Sequence, residues 1–177
     1  MKPFHPQGLP ILFAGLLLLS ACSVTLQVPL PDQSFQAGAL PGTQGRILYP
    51  QKAVTFAPPL VSPKAVAITG TLEANQSLNA TLSFYARLLD PASDPSCLDL
   101  NPYGIQAYAC PIGPNDEKAG EAQFANAQSA ALSLGGKNLT QGIAQGQFWL
   151  GLEVQGLPAS LVTFTLKNLK AIVTVGL

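Results

Sequence analysis

"LNATLSFYARLL", residues Leu78 to Leu89, alternates without a break. Leu78, Ala80, Leu82, Phe84, Ala86 and Leu88 fall on one side. Asn79, Thr81, Ser83, Tyr85 and Arg87 fall on the other. Strict period two over this length marks a β-strand with one face in a core and one in water. Just upstream, "AVAITGTLEA" repeats the pattern, with Val66, Ile68, Gly70 and Leu72 on one face. Asn75-Gln76-Ser77 lies between the two runs and reads as a turn, which predicts a hairpin.

The same period recurs toward the end of the chain. In "QFWLGLEVQG", Phe148, Leu150, Leu152 and Val154 point one way. In "SLVTFTLKNLKAIVTVGL", Val162, Phe164 and Leu166 are followed by a kink near Asn168, then by Ala171, Val173 and Val175. "AQFANAQSAALSLGG" has helix-favouring alanines, but Phe124, Asn126, Gln128, Ala130, Leu132 and Leu134 also alternate. Flanking strands favour the strand reading, and Gly135-Gly136 turns the chain. Roughly six to nine strands with little helix predict an all-β protein, a single-domain antiparallel β-sandwich of jelly-roll or immunoglobulin-like type over 64–177.

Residues 90–121 interrupt the alternation with prolines, glycines and two cysteines, Cys97 and Cys110. A loop longer than about 15 residues is usually functional or disordered. A pair of cysteines in an exported protein most often forms a disulfide, which here would staple the loop. On the chain-entropy model such a bridge contributes about 3 kcal/mol. Residues 22–63 are proline-rich and read as an extended tether. "GRILYP" and "AVTFAPP" within it would dock as short edge strands.

Export is read from the start of the chain. MKPFHPQG carries Lys2 and no acid, and LPILFAGLLLL from Leu9 to Leu19 is apolar. This is a signal peptide's n-region and h-region. It is too short for a spanning helix, which needs about 20 residues. The segment ends Leu19-Ser20-Ala21-Cys22. That ending resembles the lipobox of bacterial lipoproteins. The resemblance implies cleavage after residue 21 and acyl chains, palmitate among them, on Cys22. It implies a membrane partner through that anchor, and Ser23 after the cysteine resembles the outer-membrane type. Two or three chains anchor a protein stably where one does not.

Composition narrows the chemistry. The only histidine is His5, inside the leader, so a mature chain has neither the commonest general base nor the commonest metal ligand. Nine basic residues, Lys2 included, balance nine acidic ones, with no basic patch to bind nucleic acid. No cofactor is implied. Three weaker candidates remain. Asp90, Asp94 and Asp99 are hard oxygen ligands in the stapled loop and could take Ca²⁺, although their spacing is not that of an EF-hand. Glu153 could pair with Asp99 or Glu121 as a hydrolase's two carboxylates. Trp149 shares a strand face with Gly151 and Glu153 and, joined by Tyr85, would make a stacking platform if that face is open.

The expectation is a lipid-anchored cell-envelope protein acting without catalysis as a structural or accessory subunit of a surface assembly. Its partner would be an envelope protein or a surface polysaccharide. The alternative is a carbohydrate- or small-ligand-binding module, and a hydrolase comes third. Trp149 in an open groove would favour ligand binding, whereas a flat apolar patch or open strand edge would favour assembly.

Overall fold

The computed structural model describes residues 23–30, 32–38, 42–153, 156–158 and 160–176. The expected leader, Cys22 and Val154 lie outside them. The described residues form an antiparallel, sandwich-like, single-domain all-β fold with one α-helix. In chain order the elements are β1 (Ser23–Pro29), β2 (Gln33–Ala37), β3 (Arg46–Pro50), β4 (Val54–Thr55), β5 (Ala65–Arg87), β6 (Leu98–Asp99), β7 (Ala107–Pro111), β8 (Asp116–Gly135), α1 (Lys137–Gln145), β9 (Gln147–Glu153) and β10 (Val162–Gly176).

The organising element is β5. The expected turn at 75–77 does not form, and the two alternating runs are one strand of 23 residues. Asn75-Gln76-Ser77 instead spans a register shift against β8, between Glu73 and Leu78. The Asn75 side-chain oxygen accepts from the Thr163 backbone N–H at 3.1 Å, which satisfies part of the irregular stretch. On β8 the matching irregularity falls beside Asn126, at φ 52°. Asparagine tolerates this left-handed conformation better than most residues.

β8 pairs along one edge of β5, while β10 and β9 divide the other edge, β10 on Ala65–Ala74 and β9 on Ser83–Arg87. Beyond β10 lie β1 and β2; beyond β9 lie β3, β7 and β6. The layers are therefore halves of one bent sheet. Their inward residues merge into a single core that includes Leu72, Leu82, Phe84, Phe124 and Phe164. At the bend the two halves of β8 touch. A Cβ on Gly120 would stand 2.2 Å from the carbonyl oxygen of Ser133, so only glycine fits there.

The expected kink in β10 is present. Asn168 has φ 53°, and the register shifts between Lys167 and Lys170. This bulge exchanges the faces of the strand, so Leu166 is buried before it and Leu169, Ala171 and Val173 after it. "AQFANAQSAALSLGG" is strand, as expected, within β8.

Three expectations change. Residues 46–50, expected as a short edge strand, lie inside the sheet, because β3 runs between β9 and β7 with Ile47 and Tyr49 fully buried. The prolines 29 and 50 stand at strand ends, where a missing N–H is tolerated. The loop expected over 90–121 contains β6 and β7 and ends where β8 begins, at Asp116. Residues 137–145 form a helix that the alternation did not signal. It buries Leu139 and Ile143 and ends at Gly146, φ 77°.

Gly120→Ala forces a methyl group into the bend of β8. Overpacking of this kind costs about 1–3 kcal/mol. The variant's Tm should fall by several degrees, and an unchanged Tm would show that the halves of β8 do not meet as described.

Candidate functional site

The odd-numbered side of β5 was expected to face water. Near its end it does not: Arg87 is 1% exposed and Tyr85 8%. β5, β9, β3 and β7 carry Tyr85, Trp149, Ile47, Tyr49 and Cys110 into a second, smaller core, and Cys97 packs against it. The strand β9 is thus buried on both faces. Phe148 and Leu152 belong to the main core, and Trp149, 4% exposed, to the second.

Arg87 is the hub of this face. Its guanidinium pairs with Asp94 of the loop and approaches Asp116 Oδ1 at 3.6 Å. It also donates to Cys97 Sγ at 3.6 Å and stands 5.8 Å from the centre of the Tyr49 ring. The Tyr49 hydroxyl donates to the same Asp116 oxygen at 2.8 Å. Cys97 and Cys110 form the expected disulfide. The loop is therefore fastened twice at one place, by the disulfide and by the Arg87–Asp94 pair.

Protonation follows from these neighbours. Hydrogen bonds from Ser96 and Arg87 bring the Asp94 carboxyl from 3.8 down to about 2. Burial, then Asp116, pushes the Tyr49 hydroxyl far above its ordinary value. Burial and the Glu153 carboxylate raise Tyr85 to about 12. At neutral pH Asp94 is ionised and both tyrosines keep their protons. In this cluster those three groups hold structure and exchange no protons near neutral pH.

The residues singled out from sequence are placed as follows. Trp149, Tyr85 and Glu153 do come together, and Tyr85 donates to Glu153 Oε2 at 3.0 Å. They are buried, so the open platform is corrected. The space beside Gly151 is filled by Ile47 and the Tyr49 ring, from which a Cβ there would stand 2.4 and 2.5 Å. The three aspartates do not converge. Asp90 caps a short 3₁₀ turn through Ala92 N–H, Asp94 binds Arg87 and Ser96, and Asp99 accepts from Asn101 N–H. Among the described residues, no three His, Cys, Asp or Glu side chains are placed to hold a metal ion. Glu121 and Glu153 flank Ser83 from opposite neighbouring strands, roughly 10 Å apart at two strand spacings. Glu121 is exposed and paired with Lys118, whereas Glu153 is buried.

Sequence reasoning passed over Arg87, which reads as one more polar residue on a wet face. In the sequence Asp94 reads as a candidate metal ligand, and Asp116 is one residue of the interrupted 90–121 span.

Away from this cluster, an open depression of about 520 Å³ lies between the start of β5 and α1, lined by Lys64, Lys137, Glu117 and Thr140 among others. Glu117 Oε2 accepts from Asn138 N–H at 2.5 Å, at the positive end of the helix.

Compared with known proteins, the chain matches no family model, no curated protein and no solved structure.

Trp149→Ala should cost about 3–5 kcal/mol, as for other core aromatics. The native indole should emit at short wavelength, beyond the reach of aqueous quenchers. A variant of unchanged stability would return Trp149 to the surface.

Arg87→Met should be as severe, since it strands Asp116 in the interior, and removal of one partner from a buried pair costs about 3–5 kcal/mol. The Asp94 pair also predicts acid sensitivity. Its folded pKa lies below the unfolded one, so its contribution is complete above about pH 4 and is lost as pH falls toward 2. Urea melts of wild type and Asp94→Asn across that range should converge at the acid end.

Proposed function

We propose that this is a lipid-anchored cell-envelope protein that acts without catalysis, as an accessory subunit presenting a stiffened loop to an envelope partner. The leader and Leu19-Ser20-Ala21-Cys22 support the anchor. The observation that carries the rest is the construction of the excursion between β5 and β8. It is held down by the disulfide and by Arg87, yet it exposes Leu89, Leu98, Tyr103 and Ile112. Tyr103 is 74% exposed at the tip of a short 3₁₀ turn.

Large apolar side chains held in water on a pre-stiffened loop suit an interface, because little ordering entropy remains to be lost on binding. The loop also sits at the β6 end of the strand order, opposite β1, where the chain leads back to the anchor. The alternative, a carbohydrate- or ligand-binding module, depended on an open Trp149. With the indole in the second core, no described residue carries that reading. The hydrolase reading retains Glu121 and Glu153, but they stand in unlike surroundings, one exposed and paired with Lys118, the other buried.

Two measurements test this reading. Cys22→Ser should abolish lipid labelling and leave the precursor uncut. Tyr103→Ala and Leu98→Ala should each change stability by under about 0.5 kcal/mol. They should nevertheless remove cross-links formed in intact cells between the loop and its envelope partner. Cross-links that survive both substitutions would place the interface elsewhere.

A further inference from the structure

The edge strand β1 has an unusual surface. All seven of its residues are exposed, and three of them are large and apolar: Val24 at 44%, Leu26 at 52% and Val28 at 46%. The three share one face, and Ser23, Thr25 and Gln27 occupy the other. Residues directly opposite in an antiparallel pair lie on the same side of the sheet. Val24 faces Val175, Leu26 faces Val173 and Val28 faces Ala171. Val173 and Ala171 belong to the main core. The stripe therefore continues the core face outward, past the point where the opposite layer covers it.

Covalent position says what lies against this stripe. Ser23, the first residue of β1, is bonded to Cys22. A chain gains at most about 3.6 Å per residue, so Leu26 lies within roughly 15 Å of the acylated residue. A second apolar element ends nearby. The Lys64 backbone N–H donates to Thr174 O at 2.8 Å, and a Cβ on Gly176 would collide with the Lys64 side chain. Gly176 is the residue that pairs with Ser23. Leu60, fully exposed, and Val61, 55% exposed, lie four and three residues before that lysine. The 60–64 segment and the residue after the anchor thus fall at the same end of the sheet, with the Lys64 side chain lying over Gly176 on the face opposite the stripe.

We propose that the Val24–Leu26–Val28 face of β1 and the 60–64 tip form a membrane-docking surface, which lays the anchored end of the domain on the bilayer. This rests on the reading of Cys22 as lipidated. The depth is limited by the strand itself. Among the described residues β1 pairs only with β10, so its outer backbone groups need water. Unsatisfied N–H and C=O groups are not tolerated in hydrocarbon. The stripe therefore sits at the headgroup–acyl boundary and does not enter the hydrocarbon core.

The test uses mature acylated protein in phosphatidylcholine vesicles that contain lipid brominated near the headgroup end of its acyl chains. Leu26→Trp, Leu60→Trp and Tyr103→Trp are compared, with Trp149 as a common background. Leu60 is fully exposed, so that variant folds even if position 26 tolerates tryptophan poorly. Emission from residues 26 and 60 should shift to the blue and be quenched, whereas residue 103 should behave as in water. Equal, water-like emission at all three sites, with mass spectrometry showing the acyl chains on Cys22, overturns docking and leaves the anchor standing. A Cys22 without lipid removes both readings together. Unquenched but blue-shifted emission at 26, with β1–β1 cross-links between molecules, overturns the bilayer as occupant and assigns the stripe to a second copy.

Discussion

One constraint organises this domain: a single strand, β5, has to serve both layers. Its even-numbered residues Val66, Ile68, Leu72, Ala74, Leu78, Leu82, Phe84 and Ala86 all reach the same core. A flat strand of this length would point them into one plane and leave half of them uncovered. The bulge at 75–77, matched by Asn126 in β8, bends the paired strands so that the row closes on itself. β10 then packs on one arm and β9 on the other, and the rest of the sheet grows outward from those two.

The second face of the sheet follows a different logic. It is small, and at its centre is a charge. A buried ion pair often gains little over well-packed apolar side chains, because desolvation offsets most of the attraction. Arg87 is better understood through geometry. Its planar fork meets Asp94 from the loop and lies near Asp116 at the start of β8, while its face lies over Tyr49. An apolar residue at position 87 could fill the space without selecting where the loop goes. The disulfide limits how far Cys97 can stray from Cys110, and the arginine fixes the direction in which the loop leaves β5.

Much of the main core could be read from period two, including the strand character of 124–134 and the kink at Asn168. The one-strand nature of β5 was also legible in retrospect, because the even parity of Val66 to Leu72 passes through Ala74 and Gln76 to Leu78 without a slip. Asn, Gln and Ser mark a bulge as readily as a turn, so local composition could not separate the two. Helix α1 was missed for a related reason: Leu139 and Ile143 have helical spacing, but nine residues give only that one pair. The second core was illegible for a deeper reason. Alternation tells which side chains share a face and is silent on whether that face is covered. The cover over Tyr85, Arg87 and Trp149 comes from Ile47 and Tyr49, far upstream, and from the loop around Cys97, so no window along the chain contains it.

The pairing of β1 with β10 joins Ser23 to Gly176, the first and last of the described residues. Folding of all-β domains slows as contacts become more distant in sequence, because each loop must be closed before its pairing contributes. Here the longest closure is imposed by the order of synthesis. A chain that crosses a membrane N-terminus first delivers β1 at the outset and β10 at the end. Were this chain exported in that order, Val24, Leu26 and Val28 would have no strand beside them during passage, and an unpaired apolar strand is an aggregation hazard. Tying that strand to a lipid surface from its first residue would keep it apart from other chains until its partner arrives. An anchor at this position would thus guide maturation as well as fix the final address.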